Sequence, residues 1–145
     1  MNNLFLKTVV AGIIATLVMT LMMMLSAQMG MPKMEPPKML ATTMGTSVAL
    51  GWVMHFMIGI IFALMYTYLI RDWLRKISAV WAKGAVFGII AFVIAQIGMF
   101  IMMQMFPAMP EMSGSMALMM IGSIVGHVVF GIVTALVVHW NSSKI

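Results

Sequence analysis

The chain has 145 residues, 63% of them hydrophobic, with 8 Lys+Arg against 3 Asp+Glu, whereas a soluble domain normally carries about 25% charged residues. A water-soluble surface is therefore excluded, and at roughly 20 apolar residues per crossing the chain has room for at most about five helical spans. With 0 Cys, disulfide frameworks, thiol catalysis, cysteine zinc sites and iron–sulfur clusters drop out as well.

No charged side chain lies between Lys7 and Lys33, and the stretch Thr8 to Met29 is apolar all round rather than along one stripe, as lipid requires. This is the first span. A basic start, an apolar run and Ser26-Ala27-Gln28 imitate a secretory signal, but the apolar region is longer than the usual 7–15 residues, so it is read as a retained helix. From Lys38 to Arg71 the chain is again uncharged. Because Thr42, Thr43, Gly45 and Thr46 make its first part polar, the second span is expected from near Val48 to near Ile70. The third is expected from about Gly84 to Met105, ahead of Pro107 and Pro110, and the fourth from about Met116 to His139. The reading is an all-α membrane protein with a single transmembrane domain over the whole chain, a four-helix bundle.

Basic residues near the ends of short loops set orientation. Lys7, Arg71, Arg75, Lys76, Lys83 and Lys144 share the side of the two termini, against Lys33 and Lys38 on the other. Both termini are therefore expected in the cytoplasm, with the chain in a bacterial inner membrane. Trp73, Trp81, Trp140, Tyr66 and Tyr68 are expected at the inner interface and Trp52 near the outer one. The net charge of +5 fits this asymmetry and anionic lipid, not nucleic acid, since no basic groove interleaved with aromatics is present.

Sliding the chain on itself aligns Lys7 with Lys83, Val10 with Val86, Gly12-Ile13-Ile14-Ala15 with Gly88-Ile89-Ile90-Ala91, and Gln28-Met29 with Gln104-Met105. Pro32 and Met34 then meet Pro107 and Met109 after a slip. With a slightly shorter offset, Val53, His55, Gly59, Ile60, Ala63 and Leu64 fall on Val125, His127, Gly131, Ile132, Ala135 and Leu136. Two copies of a helical hairpin, about 5–70 and about 83–140, are expected in parallel orientation about an axis along the membrane normal.

Helices in lipid meet through small residues that let backbones touch. The second helix carries Gly51, His55, Gly59 and Ala63, and the fourth Ser123, His127, Gly131 and Ala135, each a small-residue stripe with a histidine set into it. Gly12 and Thr16, and Gly84 and Gly88, serve the other two helices. The stripes are expected to face inward. His55 then lies roughly 10 Å below the outer end of its helix, at about 1.5 Å per residue, with His127 level with it.

An ionisable side chain inside a span is a functional candidate by default. Two imidazoles facing one another would suit axial ligation of haem b or, with methionine sulfur, a copper ion, and a proton relay is a third use. The plainer alternative is packing glue, each ring bonded across a helix contact. His139, beside Trp140, is read as an interfacial anchor.

Among the 22 Met, Met31, Met34 and Met39 cluster in the first outer loop and Met109 and Met112 in the second. Thioether selects Cu(I), so these five are the candidate metal ligands; methionine is equally a flexible apolar filler. Acid–base and nucleophilic chemistry is not expected. Glu35, Asp72 and Glu111 are all in loops, Asp72 on the opposite side from the other two, so no carboxylate dyad or Asp–His–Ser triad forms in the bilayer.

The segments Gly12-Ile13-Ile14-Ala15-Thr16-Leu17-Val18-Met19-Thr20, Gly51-Trp52-Val53-Met54-His55-Phe56-Met57-Ile58-Gly59 and Lys83-Gly84-Ala85-Val86-Phe87-Gly88 together resemble a family of small uncharacterised bacterial four-span membrane proteins, a domain of unknown function. The resemblance covers essentially the whole chain. It implies the four-span fold and membrane location, and that His55 with Gly59 is a family feature. The functional expectation is a non-enzymatic accessory or scaffold component, partnered by lipid and by other membrane proteins or a second copy. Its centre would be the His55/His127 pair. The alternative is a small transporter or channel with its path along the axis between the hairpins.

Overall fold

The fold is that of a computed structural model, which describes residues 3–106 and 114–140. Its helices are α1 (Leu4–Gln28), α2 (Pro36–Thr43), α3 (Val48–Met65), α4 (Val80–Met105) and α5 (Met116–His139). A π-helical turn, Tyr66–Ile70, prolongs α3, and a short 3-10 turn, Trp73–Lys76, leads toward α4. The described residues contain no strand. Four helical segments, Leu4–Gln28, Val48–Ile70, Val80–Met105 and Met116–His139, are long and apolar enough to cross a membrane.

Helix ends follow local chemistry. The Asn3 side chain accepts from Phe5 N at 2.9 Å to start α1, and the Ser47 hydroxyl accepts from Leu50 N at 3.3 Å to start α3. The second and fourth spans run as expected. The first and third begin earlier, at Leu4 and Val80 rather than Thr8 and Gly84. Lys7 and Lys83 are thus incorporated near the helix starts, where a long basic side chain reaches back to the interface. Helix α2 was not anticipated: Pro36 and Pro37 occupy its first turn, where proline costs nothing because those N–H groups have no intrahelical partner. Tyr66, in the π-helical turn at the end of the second span, is fully buried against the protein.

Burial patterns show which helices lie inside. Helix α3 buries one stripe, Gly51, His55, Gly59 and Ala63, and α4 buries Gly84, Phe87, Gly88 and Ala91. Helix α1 buries two adjoining faces: Thr8, Gly12, Thr16 and Thr20, and beside them Ala11, Ala15, Met19 and Met23. Helix α5 likewise buries Ser123, Gly131 and Ala135 together with Met119, Gly126, Phe130, Thr134 and Val138. A helix with two neighbours hides two faces. The principal seams accordingly run α3 to α1, α1 to α5 and α5 to α4, with α2 laid across α3.

Two seams depend on missing side chains. A Cβ added to Gly12 would stand 2.7 Å from Ile60 Cα on α3, and one on Gly131 would stand 2.6 Å from the Gly88 nitrogen on α4. Both hairpins therefore close backbone to backbone, the contact that small residues permit in lipid. Toward the terminal end an aromatic group joins three of the four spans, the second, third and fourth. Phe62 and Phe130 have ring centroids 6.4 Å apart, Phe87 and Phe130 6.5 Å, and Tyr66 and Phe87 5.0 Å, within the range of favourable aromatic pairing.

Candidate functional site

The two histidines occupy different seams. His55 Nε2 lies 3.0 Å from the hydroxyl of Thr20 on α1, and that hydroxyl in turn donates to Thr16 O at 2.8 Å. With its one proton committed to Thr16 O, the Thr20 oxygen acts as acceptor, so Nε2 is the protonated nitrogen of the His55 ring. The indole of Trp52 meets the same ring edge-on, centroids 6.2 Å apart. His127 Nδ1 lies 2.8 Å from Ser123 O in its own helix and so donates to that carbonyl. Its ring stands edge-on to Phe92 of α4 at 5.7 Å. Each imidazole is hydrogen-bonded within its own hairpin through one ring nitrogen, and the two rings lie near enough to act on one another electrostatically. Their partners differ for a local reason: Thr20 on α1 offers His55 a hydroxyl, whereas Gln96 on α4 bonds outward to Met120 Sδ at 3.7 Å, leaving His127 to its own backbone.

Above His55 a cavity of about 440 Å³ opens beneath α2. Thr20, Met23, Met24, Ala27 and Gln28 of α1 form one wall and Val48 and Trp52 of α3 another. The loop from Lys33 into α2, with Met34, Pro36 and Pro37, forms the lid. Glu35 pairs with Lys33 at 3.2 Å and with Lys38 at 3.7 Å on the rim. These exposed pairs contribute little to stability. Their effect is to leave the rim almost neutral.

Thioethers gather beside this cavity on the glycine-bearing face of α5. The position a Cβ would take on Gly122 lies 3.6 Å from Met34 Sδ and 3.7 Å from Met31 Cε. One turn further in, the corresponding position on Gly126 lies 3.0 Å from Met23 Cε and 3.8 Å from Met19 Sδ. Met19, Met23 and Met119 are buried. Of the expected metal ligands, Met31 and Met34 are thus brought together. Met39 sits on α2 outside this group, its carbonyl accepting from Thr43 Oγ1 at 2.9 Å, and Met109 and Met112 lie outside the described residues. Met19 and Met23 were not singled out beforehand as ligands. The available signal was their spacing of one helical turn, which puts both on the α5-facing side of α1.

The stripe residues Gly51, Gly59, Ala63, Gly131 and Ala135 are all buried in helix contacts, as is Ser123. Among the described residues no group of three His, Cys, Asp or Glu side chains converges. Soft sulfur is the donor chemistry this end of the molecule supplies.

Four apolar helices, no strand among the described residues and a cavity at one end define a small multi-pass membrane protein of the helical-bundle class. More particularly, residues 2–144 match the model of a family of unknown function, DUF6789, and the chain belongs to that family. No curated protein and no solved structure matches the chain.

Proposed function

We propose that this chain is a non-enzymatic accessory protein of the inner membrane, with both termini cytoplasmic, that holds a monovalent soft metal, Cu(I), at its outer end. The observation that carries the reading is the approach of Met31 and Met34 from the loop to Gly122, and of Met19 and Met23 from α1 to Gly126 one turn further along α5. Bare glycine leaves room for long, flexible thioether side chains, and thioether discriminates for Cu(I) over harder ions. The adjoining cavity, lined by Met23, Met24 and Met34, supplies access from the membrane surface. Haem b is the weaker reading, since one nitrogen of each histidine is already bonded, to the Thr20 hydroxyl or to the Ser123 carbonyl. A transport path between the hairpins would have to cross the packed core of Ala11, Ala15, Met19, Met23 and Phe130.

The test is Cu(I) titration of detergent-purified protein against a competing chromophoric chelator, with a visible spectrum of the same sample. One Cu(I) per chain is expected, lost when Met23→Leu and Met34→Leu are combined, while Zn²⁺ fails to compete. A Soret band, or unchanged copper stoichiometry in the double variant, would overturn the proposal.

A further inference from the structure

The terminal end of the bundle carries a second, chemically distinct feature. The fully buried Tyr66 places its hydroxyl 3.2 Å from His139 Nε2. Lys7, from α1, donates through Nζ to Trp140 O at the end of α5. Arg71 leaves the π-helical turn with its backbone nitrogen bonded to Tyr66 O at 2.8 Å. Lys7, Arg71 and Lys83 all lie close enough to His139 to act on it electrostatically. Three cations, from α1, the end of α3 and the start of α4, thus surround the end of α5. The acid that answers them is Asp72, 3.4 Å from Arg71 Nε with its side chain 82% exposed.

Such an excess of positive charge, partly buried at the level where helices end, attracts an anion. Its depth says which one. Trp73, Trp81, Trp140 and Tyr68 are all largely exposed at the same end, and indole and phenol rings settle at the headgroup level of a bilayer. A cluster of cations contributed by several spans at that level has the chemistry of an anionic headgroup site.

We propose that Lys83, Arg71 and Lys7 bind the phosphate diester of an anionic phospholipid at this end of the bundle. The lysines supply point charges and the guanidinium a planar donor pair. The Tyr66–His139 hydrogen bond lies beside these cations. The proposal is independent of the metal reading, because its residues lie at the other end of the spans.

The experiment is thermal unfolding of the full chain in nanodiscs of phosphatidylcholine with and without phosphatidylglycerol, together with counting of retained lipid by native mass spectrometry. Phosphatidylglycerol is expected to raise the midpoint and to remain bound after mild activation. Lys83→Gln should weaken retention about fivefold, the loss expected for one basic residue near a lipid surface. Lys83→Arg should preserve retention, and Lys33→Gln, at the opposite end, should leave it unchanged. Equal stabilisation by the zwitterionic lipid, or retention unaffected by Lys83→Gln combined with Arg71→Gln, would overturn the site. Inorganic phosphate protecting as well as the lipid would overturn the lipid assignment in favour of a soluble anion.

Discussion

Two buried threonines show how one residue type takes opposite signs. Thr20 is bonded both to Thr16 O and to His55, whereas Thr134, equally buried, has a hydroxyl with no partner. Interhelical hydrogen bonds in membranes contribute about 0.6 kcal/mol on average and up to about 1.7. An unmade one costs about 1–3 kcal/mol of desolvation. Thr20→Val should therefore lower stability by roughly 1 kcal/mol, because it also strands the His55 ring nitrogen. Thr134→Val, which keeps the shape and deletes the unpaired hydroxyl, should leave stability unchanged or raise it by about 1 kcal/mol. Denaturant titration of both variants in the same detergent checks the pair of signs. Loss in Thr134→Val would mean that its hydroxyl has a partner after all.

At the level of the helices, much was legible beforehand. Charge-free stretches locate hydrocarbon-spanning segments because lipid penalises every charge, and the second and fourth spans were bounded correctly for that reason. The stripe Gly51, His55, Gly59, Ala63 was legible for a second reason: close approach in lipid demands small residues at helical spacing. What could not be read was the neighbour on the other side of each stripe. Nothing in the spacing of His55 and His127 says that one ring finds Thr20 and the other its own Ser123 carbonyl. Helix α2 was missed because it is a single short element that lies on α3 rather than crossing the membrane. The importance of the backbone contacts gives a sharp comparison between glycines. Gly12→Ala would push a methyl to 2.7 Å from Ile60 Cα, against backbone that cannot swing aside. It should cost about 1–3 kcal/mol as overpacking. Gly98→Ala, which meets nothing within 4 Å, should gain about 0.4–1 kcal/mol by restricting the unfolded chain. Opposite shifts in the thermal midpoint are the expected reading. Equal shifts would show that the α1 to α3 seam tolerates separation.

For the whole molecule the decisive question is which end faces which compartment, since both proposed sites depend on it. An even number of spans returns the chain to the side on which it started, so Asn3 and Trp140 share one face with the segment between α3 and α4. That face holds Lys7, Arg71, Arg75, Lys76 and Lys83, and the opposite one Lys33 and Lys38. Positive charge is retained on the cytoplasmic side during insertion. The methionine-lined cavity would then open outward, where it meets metal before the cytoplasm does, and the basic cluster would face the inner leaflet with its attraction for anionic lipid. Because the chain has 0 Cys, single cysteines report location without removing any native thiol. Thr42→Cys, exposed on α2, should react with an impermeant maleimide in intact spheroplasts. Ser78→Cys, exposed just before α4, should react only after lysis. The reverse pattern would invert the molecule, bringing the thioethers to the cytoplasm and the lysines to the outer leaflet. Labelling of both from one side would break the four-span topology itself.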